Sequence, residues 1–176
     1  IDRMMEAGVR VFKIEGRARG PEYVYNVVTC YKEAIQSVID GTFTEEKKDA
    51  WDERLSAVFN RGFWDGYYQG QKLGEWTKNY GNKATEKKIL VCKVVKYFSK
   101  LGVADLAVEA AEIEVGEHLL ITGPTTGVMY FDANEIRYEL QPVPKAEKGW
   151  RISIAVPDKV RPNDKLFKLV KTQSKR

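Results

Sequence analysis

From Lys88 to Val170 the apolar residues of this chain recur at every second position, a period that belongs to strands burying one face. The pattern breaks into six candidate strands: Ile89–Phe98, Val103–Ala110, His118–Thr122, Val128–Tyr138, Trp150–Val156 and Lys165–Val170. Turn residues separate them at Leu101-Gly102, at Val115-Gly116-Glu117, in GPTTG over 123–127 and in RPND over 161–164. Short strands at this spacing, with no helix among them, predict a small all-β barrel of about six strands, because closure removes exposed edges.

The first half follows another rule. Ile1–Ala7 has a helical pattern with Gly8 as its stop, and Val9–Ile14 reads as a buried strand. Gly20-Pro21 then opens a helix whose stripe is Val24, Val27, Val28, Tyr31, Ile35 and Val38, ending at Gly41. Helix, strand, helix is a piece of an α/β layer, and a lone strand leaves its edges unpaired. The expectation is therefore the C-terminal part of a larger protein. Thr44 caps a further helix with Trp51, Leu55, Val58 and Phe59 on its buried side, and 77–87 reads as a polar linker. The fold class is α+β, divided near residue 85 into 1–84 and 85–176.

Composition excludes several classes. No run approaches the ~18 apolar residues of a membrane helix, and the N-terminus lacks a secretory pattern. Cys30 and Cys92 stand alone, which provides neither a disulfide framework nor a zinc site and fits a reducing cytoplasm. Residues 1–84 hold 13 basic and 13 acidic side chains, whereas 85–176 hold 16 and 12, so the net charge of +4 belongs to the second half. Lys165, Lys168, Lys171, Lys175 and Arg176 carry much of it, which suits either a polyanion such as RNA or an ordinary solvated surface.

Several groups are candidates for binding. Lys13 and Glu15 share a face at the carboxyl end of the first strand, suited to an anion, to acid–base work, or to a salt-bridged strand end. Arg17 and Arg19 precede the Gly20-Pro21 helix start, where a phosphate would bind, and are equally ordinary surface arginines. Asn60 and Arg61 open a segment holding Phe59, Phe63, Trp64, Tyr67, Tyr68, Trp76 and Tyr80, which offers either base stacking or aromatic packing. Lys168 and Lys171 are the candidates in the basic half. His118 is the single histidine and is remote in sequence from both cysteines, so no catalytic residue and no metal ligand is assigned. GPTTG lacks the Lys-Ser/Thr of a phosphate loop and reads as a hairpin turn.

VFKIEGRARGPEYV, with Tyr31, Ala34 and Ile35 after it, resembles the FKIEGR segment of peptidase family U-32, the collagenase-like family. NRGFWDGYYQG over 60–70, GEHLLITGPTTG and VRPNDKLFKL are similar to later segments of that family in the same order. The resemblance implies that residues 1–43 are the last unit of a (β/α) catalytic barrel, with Lys13, Glu15 and Arg17 at its mouth. It implies that 85–172 is an accessory β-barrel acting as a lid or substrate-docking module, for RNA in hydroxylating members. The alternative is a peptidase accessory domain holding a protein or collagen-like substrate, or a purely structural cap. The implied partner in cis is an N-terminal barrel that precedes these residues. An iron–sulfur cluster, where a member has one, is held by cysteines upstream of KIEGR, so no cofactor is assigned to these residues.

Overall fold

The computed structural model describes residues 1–63 and 82–172. They fall into two compact units, within Ile1–Thr85 and Glu86–Thr172. No described helix is long and apolar enough to cross a membrane.

The first unit contains α1 (Asp2–Glu6), α2 (Pro21–Ile39) and α3 (Glu45–Ala57). Pro21 occupies the first turn of α2, where its missing N–H has no helical partner to lose. The Thr44 hydroxyl accepts the Lys47 amide at 3.4 Å and caps α3. The buried side of α2 is Val27, Cys30, Ala34 and Ser37. It is rotated from the expected stripe, leaving Val24 and Tyr31 each 38% exposed. Glu33 joins the two helices, accepting from Trp51 Nε1 at 2.9 Å and from an Arg54 guanidinium nitrogen at 2.6 Å.

The Arg54 hydrogen bond, then that of Trp51, holds the Glu33 carboxyl below the ordinary carboxylate range, while partial burial opposes them. A depressed folded-state pKa stabilises above the unfolded value and is lost as pH falls through the folded value. The pair is exposed, so Glu33→Gln is expected to cost only about 0.5–1 kcal/mol at pH 7. Urea melts followed by tryptophan fluorescence at pH 7 and at acid pH check this, and the difference between the two proteins should shrink as pH falls through the folded-state value.

Val9–Glu15 has no regular secondary structure and pairs with no strand among the described residues, so the expected first strand is corrected to an unpaired segment. Phe12 and Ile14 are half-buried while Val11 is 85% exposed. The alternation is present, but a ladder needs neighbours as well as a pattern.

The second unit has ten strands: β1 (Glu86–Phe98), β2 (Val103–Val108), β3 (Ile113–Glu114), β4 (His118–Gly123), β5 (Gly127–Asp132), β6 (Ile136–Tyr138), β7 (Gln141–Val143), β8 (Lys145–Ala146), β9 (Arg151–Ala155) and β10 (Lys165–Lys171). Eight form one sheet in the order β5-β4-β10-β1-β2-β9-β6-β7, and β3 pairs with β8. Every pairing is antiparallel. The closed six-stranded barrel is thus corrected to an antiparallel sheet whose outermost strands, among the described residues, are β5 and β7.

The expected strand Val128–Tyr138 is divided, because Ala133 turns inward and is fully buried between β5 and β6. The β6–β7 hairpin turns on Glu139 and Leu140, with φ of 49° and 67°. Two positive φ values mark a mirror-image two-residue turn, usually signalled by Asn-Gly. Glu-Leu carries no such signal, which is why this hairpin was not legible in the sequence.

Candidate functional site

The residues of NRGF build one wall of a cleft in the first unit. Both side-chain N–H groups of Asn60 are used, donating to the carbonyls of Ser56 and Val58 at 3.1 and 3.0 Å. Its Oδ1 accepts the Gly62 amide at 3.0 Å, and its carbonyl accepts the Lys83 amide at 2.8 Å. Asn60 is therefore a loop bracket whose amide has no spare donor for a ligand. Gly62 sits at φ 93°, a conformation that glycine adopts without a Cβ penalty.

This loop leaves a cleft of about 610 Å³, within the range of ligand sites. Tyr23, Val27 and Tyr31 lie along it at spacings of four, one ridge of α2. Leu55 and Phe59 face them, and Arg61 and Asp52 bring opposite charges to the lining. Arg19, just before the helix, places its guanidinium carbon 3.7 Å from the centre of the Phe59 ring, in a cation–π stack.

The sequence candidates separate into three groups. Arg19, Asn60 and Arg61 line the cleft. Lys13 and Glu15 lie on the unpaired segment and Arg17 in the turn that follows it, where Glu15 accepts the Arg17 backbone amide at 2.8 Å. Lys168 and Lys171 belong to β10. Lys168 is ion-paired with Glu117 at 2.8 Å, its side chain only 13% exposed, whereas Lys171 is exposed opposite Glu86. Trp64, Tyr67, Tyr68, Trp76, Tyr80, Lys175 and Arg176 lie outside the described residues.

Nothing in the described chemistry resembles a nucleophile poised beside a base. Burial pushes the Cys92 thiol up to about 12 and raises that of Cys30 as well, so both are protonated at neutral pH. His118 Nδ1 lies 2.6 Å from Asp132 Oδ1 across the β4–β5 ladder, with its ring stacked 5.9 Å from Tyr130. The residues present do not fit an iron–sulfur cluster. Cys30 and Cys92 are each buried and belong to different units, and no three His, Cys, Asp or Glu side chains converge among the described residues.

The family profile described as peptidase family U32 matches residues 1–78, the part that carries KIEGR and NRGF. The chain belongs to peptidase family U32. It is 62% identical, over 98% of its length, to a collagenase of Porphyromonas gingivalis, and spans 42% of that relative. Over a third of its length it is 34% identical to tRNA hydroxylation protein P2 of Bacillus subtilis, spanning 19% of that relative. A solved C-terminal domain of a Geobacillus thermoleovorans U32 protein is similar at 16% identity and a TM-score of 0.43, over 44% of this chain and 89% of that one. The U32 chain described here thus spans less than half of the collagenase it matches.

Proposed function

We propose that this region is the C-terminal, substrate-holding part of a U32 peptidase and that it takes an extended polypeptide. The 62% identity with a protein named collagenase, sustained over 98% of the chain, carries this reading. The aromatic cleft supports it. Tyr23, Tyr31 and Phe59 form the kind of lining into which extended, proline-rich segments dock. In the same proposal, residues 1–43 complete a (β/α) catalytic barrel supplied in cis, the β unit serves as its accessory module, and the reacting groups belong to the rest of the protein.

A repeating Pro-Pro-Gly peptide, labelled and titrated against the chain, tests this. Saturable binding without hydrolysis is expected. Truncating aromatic anchors costs roughly 1 kcal/mol or more each, so Tyr23→Ala with Tyr31→Ala is expected to weaken binding at least about tenfold. Binding that ignores both substitutions would overturn the cleft as its seat. Hydrolysis that disappears on changing Cys30, Cys92 or His118 would overturn the division of labour. RNA is the second reading, favoured by the similarity to the tRNA hydroxylation protein over 59 residues.

A further inference from the structure

The outer face of the eight-stranded sheet carries a feature independent of the cleft. Lys88, Lys93 and Lys96 are five and three positions apart on β1, spacings that alternate faces in a regular strand. Two register shifts, between Leu90 and Cys92 and between Val94 and Lys96, cancel the alternation. Lys88 pairs with Leu169 and Lys93 with Lys165, while Lys93 and Lys96 lie opposite Ala107 and Asp105 of β2. Residues two apart on a strand share a face, so all three lysines stand on the side away from Cys92, Val94, Leu106 and Leu166.

Lys93 and Lys165 are direct cross-strand partners, and both are exposed. Such partners hold their Cβ atoms about 5 Å apart, and like charges placed there are destabilising. Among the described residues neither lysine has an ion pair. Asp105, the nearest acid in the register, is held by Arg151 at 2.8 and 2.6 Å and has little charge to offer them. Aromatic rings flank the lysines on the same face. Phe98 is 38% exposed with the Lys96 ammonium 4.9 Å from its centre, and Phe167 holds Lys88 at 5.0 Å.

We propose that this face binds single-stranded nucleic acid. Lys93 and Lys165 straddle one phosphate, Lys96 meets another, and the Phe98 ring receives a base. Lys93, Lys96 and Lys165 beside the exposed Phe98 ring suit a chain that alternates phosphates and flat bases. An acidic polypeptide would use the cations and leave the rings idle. The inference rests on the second unit alone and stands or falls separately from the polypeptide reading.

The probe is a fluorescein-labelled oligouridylate 12-mer titrated against the full chain at several salt concentrations. Neutralising these two phosphates gives a slope of log affinity against log salt of about −1.4. Lys93→Gln with Lys165→Gln, which frees one phosphate, is expected to flatten it by about 0.7. Phe98→Ala is expected to weaken binding at least about fivefold without changing the slope. Lys168→Gln, on the opposite face and already paired with Glu117, leaves both quantities unaltered. These substitutions replace side chains outside the core, and melts verify that the fold is kept. A slope near zero, an equal effect of Lys168→Gln, or polyglutamate binding as tightly as the oligonucleotide would each overturn the proposal.

Discussion

A chain cut to residues 86–172 is expected to unfold in one cooperative transition, whereas residues 1–85 alone are expected to show none. The reason is where the buried apolar residues lie. Leu106, Ile113, Leu119, Ile121, Ile136, Ile152, Ile154 and Leu166 are almost wholly buried in one cluster whose members all fall between Val91 and Leu166. In the first unit the buried apolar residues are Val27, Cys30, Ala34, Val58 and Ala84 among the described ones, and none belongs to α3 itself. Leu or Ile truncated to Ala in a core of the first kind costs about 2–5 kcal/mol, so that core dominates stability. Separate expression and calorimetry decide the matter. A cooperative melt of monomeric 1–85 would refute the expectation, as would a gradual melt of 86–172.

Asp164→Ala is expected to be the most damaging single polar substitution in the sheet unit. Asp164 is 2% exposed and accepts the Thr126 hydroxyl at 2.5 Å and the Arg161 amide at 2.8 Å. It thereby ties the β4–β5 turn to the loop that enters β10. Removing it strands both donors, at a cost of about 3 kcal/mol, which lowers Tm by roughly 12–24 °C for a unit of this size. Gly123 belongs to the same arrangement, since a Cβ there would stand 1.8 Å from Asp164 Oδ1. Gly123→Ala should therefore be harmful by itself. It should be much less so in the Asp164→Ala background, a departure from additivity that thermal melts of the double variant would measure. Strict additivity would mean that the two residues are not coupled.

The hydrophobic periods by themselves determined the order of elements: helices first, then a region of alternating strands. They also placed the Pro21 start and the Thr44 cap, because these depend on neighbours within one turn. Motif spelling pointed to the family, and Asn60 shows why such spelling is strict, its amide bracing its own loop. Tertiary structure decided the rest. The unpaired state of Val9–Glu15 depends on neighbours that no local pattern reports. The inward turn of Ala133 and the Glu139-Leu140 hairpin set where the strands break, and the hairpin has no glycine or asparagine to announce it. The cleft needs Arg19 and Phe59, 40 positions apart, to stack. The lysine face depends on slips of single residues at Val91 and Val95, and counting by twos along the sequence scatters those side chains over both faces. A local pattern reports which residues seek burial. Register and long-range pairing decide which side chains meet, because one residue of slip reverses the face of everything beyond it.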